Sequence, residues 1–110
     1  MIRIAAFAAD ATVSDAVYVG DAVYIGFQFP TMVGASITFQ AGPSKDGVFV
    51  PVVTEAGATV SITATDNSYV GMNTEQLELA ACEWIRLVSA SAETSAVNVI
   101  VHLKGAGSRK

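Results

Sequence analysis

The sequence contains one cysteine, one histidine, one tryptophan and only three prolines in 110 residues. A lone cysteine, Cys82, excludes an intrachain disulfide framework, so stability has to come from a packed core, and the chain is expected to be made in a reducing cytoplasm. One histidine, His102, beside one cysteine is too small a set for a typical structural zinc site. Charge is scarce as well: Asp, Glu, Lys and Arg make up 15% of residues, against about a quarter in an average soluble domain. No Lys or Arg lies between Lys45 and Arg86, whereas Asp46, Glu55, Asp66, Glu75, Glu78 and Glu83 do. The middle of the chain therefore repels phosphate, and a nucleic-acid partner is not expected. Lys104, Arg109 and Lys110 give a basic end that reads as a solubilising tail. Long apolar runs are missing too. No segment approaches the ~20 residues of a membrane-spanning helix, and the apolar opening, residues 1–9, is closed at once by Asp10 and reads as a first strand rather than a signal peptide.

What is present is apolar and β-prone. Hydrophobic residues make up 52% of a chain whose net charge is −4, and the Val and Thr content favours strands over helices. A chain of this length is enough for one domain with a real core. Ser36, Thr38 and Gln40 alternate with Ile37 and Phe39, so one set faces a core and the other faces outward. Lys45, Asp46 and Gly47 then mark a turn before Val48, Phe49, Val50, Pro51 and Val52, with Gly47 expected to supply a positive φ. Ile25, Phe27 and Phe29 alternate with Tyr24, Gly26 and Gln28 up to Pro30. Residues 59–65 alternate Thr and Ser with Val60, Ile62 and Ala64. Val97, Val99, Val101 and Leu103 alternate with Asn98, Ile100, His102 and Lys104. The hexad Asp15-Ala16-Val17-Tyr18-Val19-Gly20 is nearly repeated from Asp21 to Gly26, which is too short and too few for a repeat architecture. Asn73 followed by Gln76 resembles a capping box and predicts one short helix over residues 73–81.

Together these patterns predict an all-β chain: a single-domain antiparallel β-sandwich or jelly roll of about eight strands with one short helix, over residues 1–104, followed by a flexible basic tail, residues 105–110. Pro51 puts the strand that carries it on a sheet edge, where a missing N–H costs little. A valine-rich edge needs a cover, and a neighbouring subunit is one.

Chemistry is sparse. His102 sits mid-strand and reads as a surface or interface residue, and Cys82 as a small buried thiol. Glu75 and Glu78 share a helix face and read as solvated. Asp66, Asn67 and Ser68 read as an Asx turn rather than a calcium loop. No phosphate-binding loop, dinucleotide fingerprint or nucleophile elbow is present. The expectation is a chain that is not an enzyme and takes no cofactor or metal. Tyr18, Tyr24, Tyr69 and Trp84 serve core or interface packing, or else a sugar-stacking platform.

The order Ile37-Thr38-Phe39-Gln40, then Ser44-Lys45-Asp46-Gly47, then Phe49 resembles the strand-loop-strand of galactose-binding-like (discoidin-type) sandwiches. A closer resemblance is to small phage and prophage β-sandwich virion proteins. They share an apolar strand ending near Phe29-Pro30, the Thr38-Phe39-Gln40 and Asp46-Gly47 pieces, the alternating Val60-Ser61-Ile62-Thr63 strand, and Trp84-Ile85-Arg86-Leu87. Phe49 stands where Trp or Tyr is more usual, and Pro51 interrupts a strand that would ordinarily run on. The resemblance implies a non-enzymatic structural protein of the virion, assembled in the host cytoplasm. Its type is a capsid decoration or cement protein that binds major capsid subunits, itself expected to be a homo-oligomer. The alternatives are a carbohydrate-binding or host-attachment module, and a tail or head-tail junction component. The candidate interface residues are Thr38, Gln40, Val50, Pro51, Thr63 and Ile100, with no membrane partner expected.

Overall fold

A computed structural model describes residues 2–20, 24–34, 36–71 and 82–104. The helix expected over residues 73–81 and the tail 105–110 lie outside the described residues. Among the described residues nine strands follow in order: β1 (Ile2–Phe7), β2 (Val17–Tyr18), β3 (Tyr24–Phe29), β4 (Ser36–Gly42), β5 (Val50–Pro51), β6 (Ser61–Thr63), β7 (Ser68–Gly71), β8 (Trp84–Ser89) and β9 (Val97–Lys104). They form two sheets, β1-β9-β3-β7 and β2-β8-β4-β5, with β6 also on β4.

Every pairing is antiparallel, and the pairs are nested: β1 with β9, β2 with β8, β3 with β7, and β4 with both β5 and β6. The chain is thus one long hairpin folded over itself, with successive strands crossing between the sheets. This is the jelly-roll arrangement, a two-sheet antiparallel sandwich. β5 and β6 lie end to end along one side of β4. Pro51 sits opposite Gln40, while Thr63 sits opposite Ser36.

The core lies between the sheets, filled by the inward members of each alternation. Phe7, Ile25, Phe27, Phe29, Val99, Val101 and Leu103 come from one sheet, and Val17, Ile37, Phe39, Ile62, Ile85 and Leu87 from the other. The Phe27 and Phe39 rings meet across the sandwich with centroids 5.4 Å apart. The near-repeated hexad contributes to both layers, with Val17 on β2 in one sheet and Ile25 on β3 in the other.

One local device joins the layers, and it starts from a bulge beside β8. Upstream of β2 the chain already runs along β8: Ser89 N–H donates to Thr12 O, and Ser14 N–H to Leu87 O at 2.9 Å. Val13 pairs with Val88 but Val17 with Ile85, so an extra residue is accommodated between them as a bulge. At the bulge the Ser14 hydroxyl accepts from Leu87 N–H at 3.0 Å, and Asp15 turns to the edge of the other sheet. There its carboxylate accepts from Ala6 N–H at 2.8 Å, while its own N–H donates to Ala6 O at 3.0 Å. Ala6 on the free side of β1 is therefore capped by a residue of the opposite layer.

The loop after β4 corrects one expectation. The turn closes with Gly47 N–H donating to Ser44 O at 3.1 Å. The only described glycine with positive φ is Gly57, at 87°. Gly47 therefore occupies the last position of its turn, where Gly is favoured without needing a left-handed backbone. The ring of Phe49 folds back over Gly42 and lies under the Arg86 guanidinium, 4.0 Å from Cζ to the ring centroid.

Candidate interaction surfaces

Side chains that alternate away from the core cover the two outer faces of the sandwich, and the structure distributes the candidate interface residues between them. Thr38 and Gln40 point outward on β4, with Pro51 beside Gln40 and with Ser61 and Thr63 on β6 completing that face. Val50 lies opposite Ala41, on the inward side, yet it is 56% exposed because it sits at the rim beyond the packed core. Ile100 is on β9 in the other sheet, opposite Ile4 and Gln28. Five of the candidates therefore gather around β4, β5 and β6, and Ile100 faces away from them.

The rim around β5 is more apolar than the strand reading anticipated. Val48 is 80% exposed, and Val53 joins Val50 among the exposed large hydrophobic residues. Pro51 has no N–H to offer along this edge, which discourages a further strand from pairing there. The edge is thus suited to side-chain burial rather than sheet extension. β1, six residues long, is an edge strand of the other sheet, and its outward Ile2 and Ile4 are exposed.

The outer face of the β1-β9-β3-β7 sheet has a different character. Gln28 and His102 meet there, with Nε2 of the ring 3.1 Å from the carboxamide Oε1. Because that oxygen only accepts, the ring nitrogen donates. Tyr69 stands opposite Gln28 in register, its ring edge-on to His102 with centroids 5.3 Å apart. A Cβ at Gly26 would run into the tip of the Tyr69 ring. Glycine at that position is what lets the ring lie down on the sheet. The expected surface role of His102 fits this setting.

Trp84 is half-buried and meets Tyr18 edge-on at 5.3 Å, while the Arg3 guanidinium lies 5.5 Å from the Tyr18 ring centroid. Cys82 is half-buried against the core, and burial pushes its thiol pKa up. The Asx expectation for Asp66 is amended: its carboxylate accepts from Met32 N–H at 3.2 Å, in a distant loop, while Asn67 takes the left-handed conformation with φ 55°. Asn tolerates that conformation better than most residues. No group of three or more His, Cys, Asp or Glu side chains that could hold a metal ion occurs among the described residues.

The sequence reading missed Glu93. It is 1% exposed, and its carboxylate accepts from Val33 N–H at 2.8 Å, Gly34 N–H at 3.0 Å and the Ser89 hydroxyl at 3.1 Å. Its backbone continues the clasp, with Asp10 N–H donating to Glu93 O and Glu93 N–H to Ala11 O. A glutamate in a Ser-Ala-Glu-Thr-Ser loop carries no sequence signal of burial. The role is structural, since each carboxylate oxygen is occupied by the protein's own donors.

No protein-family model, curated protein or solved structure matches this chain.

Proposed function

We propose that the chain is a non-enzymatic structural protein of a virion, of the decoration or cement type, that seats the apolar rim around β5 against major capsid subunits. The observation that carries this reading is the exposure of Val48, Val50 and Val53 around Pro51 along one sheet edge. Apolar side chains gathered on a surface otherwise poor in charge mark a site of protein contact. Thr38, Gln40 and Thr63 on the adjoining face supply small polar groups of the kind found at an interface rim. The resemblance of the Thr38-Phe39-Gln40, Asp46-Gly47 and Trp84-Ile85-Arg86-Leu87 pieces to small virion sandwiches supports the same reading. Attachment at several capsid subunits would compensate for a small contact area at each.

The test is fractionation of purified particles with mass spectrometry and immunogold labelling, followed by rebinding of the chain to stripped particles. The chain is expected on the head, and Val48→Asp combined with Val50→Asp is expected to abolish rebinding while the melting temperature stays close to that of the parent. Absence from particles refutes the reading. Labelling confined to the tail replaces the capsid partner with a tail or junction component.

A further inference from the structure

We propose that the outer face of the β1-β9-β3-β7 sheet carries a binding site for a neutral saccharide. A depression of about 300 Å³ opens on this face, lined by Gln28, Phe29, Pro30, Asn67, Asn98 and Ile100. That volume lies at the lower end of ligand pockets, which run from about 300 to 1,000 Å³, and suits one or two sugar rings.

Half of the lining residues are carboxamides, and their hydrogen bonds leave complementary groups for a ligand. Gln28 spends its oxygen on His102, which leaves its NH2 to donate. Asn67 spends its NH2 on Thr31 Oγ1 at 3.3 Å, which leaves its oxygen to accept. Asn98 is exposed on the outward side of β9 and offers a donor and an acceptor. A sugar hydroxyl both donates and accepts, so a ring of amides presenting both functions matches it. Pro30 and Ile100 add apolar surface for the C–H side of a pyranose, while the Phe29 ring is buried in the core. Tyr69, 59% exposed, lies across from Gln28, but its ring is folded over Gly26 beside His102 and does not line the depression. Among the described residues no Asp, Glu, Lys or Arg lines the depression, which disfavours the ion pairing that sialylated or sulfated sugars call for. The β5 rim belongs to the other sheet, so the two surfaces are compatible with simultaneous use.

The test is a glycan array carrying neutral, sialylated and sulfated glycans, probed with the purified chain, followed by saturation-transfer NMR and titration with the neutral glycan retained best. The expected result is retention of neutral glycans only. Gln28→Ala and Asn98→Ala are each expected to weaken binding about tenfold or more, with Thr63→Ala on the opposite face leaving it unchanged. Asn98→Asp and Gln28→Glu keep side-chain shape while adding charge, and they are expected to lose the neutral ligand even if an alanine variant is compromised in folding. Failure to retain any neutral glycan overturns the proposal. So does retention of charged glycans alone, or binding that survives both Gln28→Ala and Asn98→Ala.

Discussion

Replacing Glu93 by alanine removes the acceptor for Val33 N–H, Gly34 N–H and the Ser89 hydroxyl in one step. The Gly34 and Ser89 bonds are buried, and the Val33 bond is part-buried. Leaving a buried donor unsatisfied costs about 1–3 kcal/mol. Gly34 N–H is such a donor, with a smaller term for Val33, whereas the Ser89 hydroxyl keeps Ser91 O as an acceptor at 2.8 Å. The variant also sheds the desolvation cost of a buried carboxylate. A net loss of about 2–3 kcal/mol follows, a sizeable part of the roughly 5–15 kcal/mol that holds a domain together. For a domain of this size that lowers the melting temperature by about 8 °C or more. Glu93→Gln keeps one acceptor oxygen but presents an NH2 group to donors, and about 1–3 kcal/mol is expected. The assay is urea unfolding followed by tryptophan fluorescence and circular dichroism, with the slopes compared to confirm that the same surface is exposed. A double-mutant cycle of Glu93→Gln with Ser89→Ala should give a coupling energy above about 0.5 kcal/mol, since the two side chains are in contact. An alanine variant within about 1 kcal/mol of the parent at unchanged slope would refute the reasoning. It would mean that the loop before β4 is not held by this carboxylate.

Phe27→Ala, which empties the centre of the core where Phe27 contacts Phe29 and Phe39, is expected to cost about 3–5 kcal/mol in the same unfolding assay. Gly26→Ala drives the Tyr69 ring off the sheet. Because that ring is exposed, the stability change should stay near or below about 1 kcal/mol, while the His102 ring protons lose the ring-current shift that the nearby tyrosine imposes. Cys82, whose thiol pKa is raised by burial, should be alkylated by iodoacetamide at mildly alkaline pH more slowly than a free thiol, and at the ordinary rate once the chain is unfolded. The linkage has a defined sign. Since the folded value lies above the unfolded one, the thiol's stabilising contribution is complete below the unfolded pKa and is lost as pH rises through the folded pKa.

Much of the strand layout is visible in the alternation of side chains. Ile37 and Phe39 are buried, as are Val60, Ile62 and Ala64, and Val99, Val101 and Leu103. The two-residue period is a property of a single strand, so it can be read without knowing which strand lies beside it. Pro51 on an edge is legible for the same kind of reason, because a missing N–H is a local fact. Lengths were less legible: residues 48–53 form a strand only at Val50–Pro51, since Val48 and Phe49 belong to the turn that folds back over Gly42. The candidate surfaces were legible residue by residue but not as patches. Thr63 and Ile100 each point outward, yet their strands belong to different sheets.

By itself, the sequence determined that this is a strand-built chain without disulfides, poor in charge, with its apolar residues sorted into inward and outward sets. These follow from composition and from backbone geometry within a few residues. The tertiary structure alone decided that β1 closes on β9 and β2 on β8 in a nested roll, that Glu93 is buried beneath three donors, and that Tyr69, Gln28 and His102 meet above Gly26. Each of these joins residues far apart in the chain. No local period encodes such a meeting, which is chosen by the packing of whole sheets and by the requirement that every buried polar group find a partner.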